Sequence, residues 1–419
     1  MKQQATSPLR IAIVATCPFT TLQGSQVLIS QHAQAMAARG HIVHIVTYHL
    51  GLPSLLCSHA RGPAGEVHRI PPIPFYTRLR AGPSIGKPLL DALLALRLLV
   101  VALRERIDVF HAHNVEGVLA AWPVARLLRR PLVFHTHTLM EGELPAYFGN
   151  ALVRRAMRRL GRWLDALLPR LADRSVVLSP EARAAFARLG AESDRLVVIP
   201  PGVEDRSLAP AAAQAAALRA RYHLGDGPLA IYTGNLDPYQ GLDDLLRAFA
   251  RARNALPGAQ LIIASHAAPI ASLDLNGDGV QYIRVQSFEE VAALLGLSDV
   301  AVCPRPACLG YPIKLLNYMS AGKAIVCAAG SARGIIHLDS GYVYGDGDVD
   351  ALAEGLIRLL ADRPLAQRLA HNAHRYVRQL CWSALAGAFE ALYRDLLHGG
   401  RAVPADSAPA NVMPEARTR

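Results

Sequence analysis

Hydrophobic positions along the chain fall into short runs rich in β-branched residues, separated by longer stretches of helical period. Runs at Ile11–Thr16, Ile42–Tyr48, Val109–His111, Leu132–His135, Ser175–Leu178 and Val197–Ile199 read as strands, with helices such as Gln26–Arg39 between them. Alternation of this kind predicts a parallel sheet covered on both faces. The pattern breaks at Pro200-Pro201-Gly202, and an alanine-rich stretch continues to about Gly227. A second alternating set then runs through Ala230–Thr233, Leu261–Ser265, Tyr282–Arg284, Val300–Pro304 and Ala324–Cys327. The predicted fold class is α/β, with two Rossmann-like halves joined near residue 205. The expected divisions are 1–205, a linker at 206–226, a second domain at 227–372, helices at 373–397 that return to the first domain, and a disordered tail at 398–419. No internal repeat is visible beyond the two-half plan.

Composition narrows the picture. With 419 residues, 52% of them hydrophobic, the chain supplies two buried cores. Only 18% of residues are charged, yet the balance is +11, which favours anionic partners such as phosphates, nucleotides or an acidic membrane face. Nearly all of the basic charge is arginine. Two of the four lysines, Lys314 and Lys323, stand in one short segment, Leu309–Val326 (LGYPIKLLNYMSAGKAIV). The six cysteines form no CxxC pair, so a reducing compartment is expected. Ile11–Cys17 is too short for a signal peptide, and Leu89–Leu103 is interrupted by Asp91 and Arg97, so it reads as an amphipathic or buried helix. Nucleic acid is not expected as a partner, because no recognition-helix module, zinc pattern or aromatic-studded basic strand accompanies the arginines.

Four local patterns carry candidate chemistry. Gln23-Gly24-Ser25-Gln26 lies between the first strand and its helix, where Gly24 lets the backbone approach a phosphate or sugar; an ordinary β–α turn has the same appearance. His111-x-His113 and His135-x-His137 sit near the ends of two strands and could converge as a four-histidine metal site. No Cys or Asp completes a familiar spacing, and adjacent strands bring such residues together for structural reasons, so no metal is expected. Glu141 and Glu143 follow on a loop, as a surface pair or as carboxylates that orient an acceptor hydroxyl. Over Ala151–Arg174, a helical wheel places Arg154, Arg155, Arg158, Arg159 and Arg162 within an arc of about 140°, opposite Val153, Met157, Leu160, Leu164 and Leu167. Such a helix either lies on an anionic membrane or buries its apolar arc and leaves the arginines solvated. Arg78, Arg80 and Lys87 could extend the same basic surface or meet an acceptor phosphate.

Six segments in register resemble the retaining family 4 (group 1) glycosyltransferases of GT-B fold. They are TTLQGSQVLISQHAQAMAARGHIVHIVTYH, VFHAHN, PLVFHTHTLMEGELPAYF, SVVLSPEARAAFARLG with VVIPPGVE, IYTGNLDPYQGLDDLLRAFA and LGYPIKLLNYMSAGKAIV, spanning about residues 9–397. The resemblance implies two Rossmann-like domains with an interdomain cleft and a C-terminal helix crossing back to the N-terminal domain. It also implies transfer of a sugar from a UDP- or GDP-sugar, with no further cofactor or metal required.

By that resemblance, His137 matches a family histidine that hydrogen-bonds the donor sugar. Gly234, Asn235, Gln240 and Gly241 belong to a phosphate-facing loop. Asn235 and Gln240 stand where the family has an arginine and a lysine, so both formal charges are gone, and a charge-assisted hydrogen bond is roughly twice as strong as a neutral one. The family's two glutamates, eight positions apart, fall at Leu309 and Asn317; a leucine cannot bond a sugar, while Asn317 still offers an amide to a ribose. Gly310, Tyr311 and Pro312 lead into a helix starting near Pro312. Its amides around Ile313, its dipole and Lys314 could replace the missing cations. Absence of a nucleophile and base pair fits a reaction in which the leaving phosphate accepts the acceptor's proton.

The expected activity is therefore transfer to a lipid-linked, polysaccharide or other glycan acceptor by a cytoplasmic protein, peripheral on the inner membrane face. Two alternatives remain open: a GT-B protein that has lost catalysis and binds sugar or nucleotide as the partner of another transferase, or a nucleotide-sugar epimerase.

Overall fold

The computed structural model describes residues 7–17, 24–50, 66–74, 76, 82–84, 86–203, 212–270, 273–275, 277–306 and 310–399. Arg78, Arg80 and Leu309 lie outside these residues. Contacts divide the chain into two units, the first from residues 1–202 with 382–410 and the second from 203–381 with 411–419.

Among the described residues the first unit has a parallel sheet of seven strands: β1 (Arg10–Ala15), β2 (Ile42–Thr47), β3 (Val67–Arg69), β4 (Val109–His113), β5 (Leu132–His135), β6 (Arg174–Val177) and β7 (Leu196–Val198). Their order is β3-β2-β1-β4-β5-β6-β7. Strands buried on both faces read as continuous apolar runs because neither face meets water. Along β4, Phe110 and Ala112 point into a core with Leu94, Leu98, Val118 and Val124 from α2 (Lys87–Glu105) and α3 (Asn114–Leu128). His111 and His113 point to the opposite face, because side chains alternate along a strand. That face is covered by α1 (Gly24–Ala38) and by α13 (Trp382–Leu397), through which the chain returns to this unit. Trp382 Nε1 donates to Gln31 Oε1 at 2.9 Å, and Arg39 and Arg394 both pair with Glu390.

On the first unit's surface, α4 (Met140–Glu143) is held against α5 (Ala151–Leu171) by Asp165, whose carboxylate accepts from the Met140 and Glu141 amides at 2.9 and 2.8 Å. Asn150 caps α5 by accepting from the Leu152 and Val153 amides, satisfying two of its orphan donors. A short α6 (Pro180–Arg188) links β6 to β7.

Among its described residues the second unit has six parallel strands: β8 (Leu229–Thr233), β9 (Gln260–Ser265), β10 (Val280–Arg284), β11 (Val300–Cys303), β12 (Ala324–Ala328) and β13 (Tyr342–Tyr344), ordered β10-β9-β8-β11-β12-β13. Its helices are α7 (Ala212–Arg221), inside the stretch expected as a linker, then α8 (Leu242–Ala255), α9 (Phe288–Leu297), α10 (Ile313–Ser320), α11 (Val349–Ala361) and α12 (Arg363–Val377). The core under α8 and α11 contains Leu245, Phe249, Ile263, Val302, Leu352 and Leu356, each fully buried. Fully burying one such side chain contributes about 1.5–3 kcal/mol. The two strands absent from the sequence reading, β3 and β13, are three-residue edge strands, too short to show a period.

Candidate functional site

Both sheets reverse strand order in the middle, between β1 and β4 in the first unit and between β8 and β11 in the second. Open α/β sheets bind ligands outside the carboxyl ends of their strands at such a switch point. The donor-loop, Lys314 and histidine candidates lie at these two points, and each is described within its own unit.

In the second unit, Gly234 (φ +142°) directly follows β8, and a loop runs from there to Gly241 (φ +73°), which leads into α8. Both glycines are required by close approach as well as by φ. A Cβ on Gly234 would sit 2.8 Å from Lys314 Nζ and 3.0 Å from the Tyr232 hydroxyl, and one on Gly241 would lie 2.4 Å from the Pro304 carbonyl oxygen after β11. Lys314, on the first turn of α10, donates to Gln240 Oε1 at 2.9 Å and lies 4.0 Å from the centroid of the Tyr232 ring. Gln240 in turn bonds Asn235, and the Asn235 amide donates to the Tyr239 hydroxyl at 2.8 Å and to Asp237. Gly234, Asn235, Gln240, Gly241 and Lys314 are thus brought together.

Ile313 opens α10, whose first amides have no partner within the helix. Asn317, three residues after Lys314 and on the same face, is half-buried and makes no side-chain hydrogen bond among the described residues. Tyr311 is buried, with its hydroxyl 3.4 Å from the Arg333 carbonyl oxygen, and Gly310 precedes it in the same turn.

One cation here escaped the sequence reading. Arg305, just after β11, is half-buried with its guanidinium 4.9 Å from the centroid of the Tyr239 ring, and its Nε has no hydrogen-bond partner among the described residues. No local motif marks it. Only the position one residue past a strand-ending proline at the switch point does so, and that requires the strand order.

In the first unit, Gly24 opens α1 at the carboxyl end of β1, and His113 ends β4 beside it. Asn114 follows with φ +61°, a left-handed position that asparagine tolerates. His113 Nδ1 lies 2.9 Å from His137 Nε2. Burial lowers the His137 pKa to about 4, so at neutral pH this imidazole offers a hydrogen bond but no charge. The four-histidine grouping is revised by the structure. His32 of α1 joins His111, His113 and His135 in a buried set, each offering a ring nitrogen within 4.8 Å of the others, and His137 stands outside it.

The outer candidates have separate fates. Lys87 Nζ pairs with Glu116 at 2.6 Å and so is engaged within its own unit. Glu143 accepts from the Tyr147 hydroxyl at 2.7 Å, and Glu141 sits beside it on α4. On α5 the five arginines 154, 155, 158, 159 and 162 are exposed. Leu152, Val153, Leu160 and Trp163 are exposed as well, at 79%, 39%, 40% and 58%, so over this first half much of the apolar arc faces solvent and not the core. The buried positions of the helix are Gly161, Asp165, Leu168 and Pro169. Gly161 permits the approach, since a Cβ there would lie 2.3 Å from the Met140 carbonyl oxygen. Among the described residues no helix is long and apolar enough to cross a membrane.

Family models match both halves of the chain. Residues 22–207 match the family model described as Glycosyltransferase Family 4, and residues 227–362 match the one described as Glycosyl transferases group 1. The chain is 30% identical over 273 residues to the GDP-mannose-dependent alpha-(1-6)-phosphatidylinositol monomannoside mannosyltransferase of Mycolicibacterium smegmatis, covering 60% of this chain and 68% of that one. It is 25% identical over 413 residues to the phosphatidyl-myo-inositol mannosyltransferase of Mycobacterium tuberculosis, covering 94% and 99%. Among solved structures it resembles sucrose-phosphate synthase from Thermosynechococcus elongatus, with a TM-score of 0.77 at 20% identity over 93% of this chain and 99% of that one.

Proposed function

The chain belongs to the family 4 (group 1) glycosyltransferases of GT-B fold, and on that premise we propose that it moves a hexosyl group, with GDP-mannose the first donor to try, onto an anionic lipid-linked acceptor with retention at the anomeric carbon. The observation that carries the donor side is the pair of cations, Lys314 and Arg305, that flank the Gly234–Gly241 loop at the switch point of the second unit. A nucleoside diphosphate gains negative charge as the glycosidic bond breaks, and cations held in place before the reaction stabilise that charge without reorganising. In this reading Lys314 and Arg305 take over from the cations missing at Asn235 and Gln240, with the first amides of α10 and its dipole adding to them. The amide of Asn317 meets the ribose, and neutral His137 offers a hydrogen bond to a sugar hydroxyl. The acceptor hydroxyl attacks the anomeric carbon, the bond to the phosphate oxygen breaks, and the leaving phosphate takes the hydroxyl proton.

The first half of α5 supports the lipid-linked acceptor. Five exposed arginines beside exposed Leu152, Leu160 and Trp163 combine charge for an anionic headgroup layer with apolar area for its acyl boundary. Two of the similar proteins are named for transfer to phosphatidylinositol species, which supports the same acceptor class. This reading makes the protein a peripheral one at a membrane face.

The test is incubation of the purified chain with radiolabelled GDP-mannose, and in parallel UDP-glucose, in the presence of vesicles containing phosphatidylinositol. Label entering the organic phase supports the proposal. Nucleotide binding with no transfer to any lipid or glycan would instead favour a non-catalytic sugar-binding partner, the reading to which the neutral Asn317 points.

A further inference from the structure

Beneath β4 and β5 the first unit holds a cluster of side chains that the transferase reading leaves unused. His113 and His135 are register partners on neighbouring strands, and their rings stack at 4.7 Å between centroids. His111 sits two residues before His113 on the same face, and His32 descends from α1 with its ring 4.5 Å from that of His111. All four residues are at most 1% exposed. No thiolate or carboxylate is among them.

Their hydrogen bonds divide the ring nitrogens into two sets. Tyr393 of α13 places its hydroxyl 3.1 Å from His32 Nε2 and 2.7 Å from His111 Nδ1. His111 Nε2 lies 2.9 Å from His135 Nδ1, and His113 Nδ1 lies 2.9 Å from His137 Nε2. Among the described residues three buried nitrogens of this cluster have no partner: His32 Nδ1, His113 Nε2 and His135 Nε2. Each belongs to a ring whose other nitrogen is engaged by an outer partner, namely Tyr393, His137 and His111 respectively. Metal-binding imidazoles have this layout, one nitrogen on the ion and the other oriented by a neighbouring group. If His32 and His111 both donate to the Tyr393 oxygen, and His135 donates to His111 Nε2, lone pairs remain at His32 Nδ1 and His135 Nε2. Donation from His113 Nδ1 to His137 leaves the third at His113 Nε2.

We propose that this cluster binds one divalent transition-metal ion of the zinc class through His32 Nδ1, His113 Nε2 and His135 Nε2, with His111, Tyr393 and His137 as the orienting outer partners. Neutral imidazole is a donor that suits zinc, copper and nickel and does not suit magnesium or calcium. The ion ties α1 to β4 and β5 and, through Tyr393, to α13. It also fixes a tautomer: with His113 Nε2 on the metal, Nδ1–H donates to His137 Nε2, so His137 carries its own proton on Nδ1.

The experiment uses the full chain without a histidine tag, equilibrated with micromolar zinc, dialysed against metal-free buffer and assayed by plasma mass spectrometry. The expected result is one ion per chain. A hundredfold excess of zinc over its dissociation constant should raise the melting temperature of this unit by about 5–10 °C, and cobalt loading should give the visible absorption of a tetrahedral site. His32→Gln and His113→Gln, checked by circular dichroism, should each lose most of the bound ion. The proposal is overturned if the parent chain retains no zinc, copper, nickel or cobalt and its melting temperature does not move, or if both folded variants retain as much metal as the parent. The parent measurements decide the matter even if a variant fails to fold, and none of them involves nucleotide, so failure here leaves the transferase reading untouched.

Discussion

Replacing Lys314 by methionine isolates the charge at the proposed phosphate site. Methionine keeps an unbranched apolar stem to lie against the Tyr232 ring, where the ammonium now sits 4.0 Å from the centroid, but it removes the cation and the 2.9 Å bond to Gln240 Oε1. Two unit charges 4 Å apart attract by about 4 kcal/mol at an effective dielectric of 20. Binding a phosphate oxygen requires the ammonium to give up its contact with Gln240 and part of its hydration. The net loss should therefore be that of one charge-assisted hydrogen bond, about 1.5–3 kcal/mol. Titration calorimetry should show Lys314→Met weakening GDP binding about 10–150-fold, with guanosine, which lacks the diphosphate, bound no differently. The deficit should shrink as salt is raised, because the lost interaction is electrostatic. A folded Lys314→Met protein that binds GDP within about twofold of the parent would refute the assignment of Lys314 to the phosphates.

Other expectations follow from the same geometry. Gly234→Ala places a methyl 2.8 Å from Lys314 Nζ at φ +142°, so it should cost about 1–3 kcal/mol in stability and displace the ammonium, seen as a lower melting temperature together with weaker GDP binding; an unchanged melting curve would contradict the required close approach. On α5, Arg158→Gln with Arg162→Gln should reduce partition onto anionic vesicles about 30-fold, at roughly 1 kcal/mol per basic residue, and leave neutral vesicles unaffected; equal partition in a sedimentation assay would remove the membrane role of this face. Burial pushes the Glu390 carboxyl up, but the hydrogen bonds and charge of Arg39 and Arg394, with His41 nearby, outweigh it and hold the group below its ordinary 4.5. A depressed carboxylate contributes stability above its unfolded value and loses it as pH falls through the folded one, so docking of α13 on α1 should weaken as the pH falls below the ordinary 4.5 and through the lowered folded value. Hydrogen exchange in α13 should then be pH-sensitive in the parent and flatter in Glu390→Gln; matching profiles would count against the pair.

How much of this was legible before the structure differs from one residue to the next. Strands buried on both faces announce themselves, so the predicted strand at Leu132–His135 coincides with β5. The i, i+2 spacing of His111 with His113 showed that they share a face. It could not show that His32, from α1, completes the set while His137, two residues beyond the end of β5, pairs sideways with His113 Nδ1. A helical wheel separated the arginine arc of α5 from its apolar arc, but which side met the core was settled by Gly161 and Asp165 docking on α4, which left Leu152 and Trp163 in solvent. Arg305 was invisible as a candidate because its importance comes from β11 lying next to β8.

The sequence by itself determined the two parallel-sheet units, the placement of the glycine loop and Lys314 at element ends, and the family. Local periodicity and motif spacing are set by the backbone repeat of each element and need no knowledge of its neighbours. Tertiary structure alone decided that Lys314 meets Gln240 across 74 positions and that Tyr393 meets His111 across 282. These meetings depend on strand order and on the side from which a helix covers the sheet, and residues far apart in the chain carry no shared period from which that could be read.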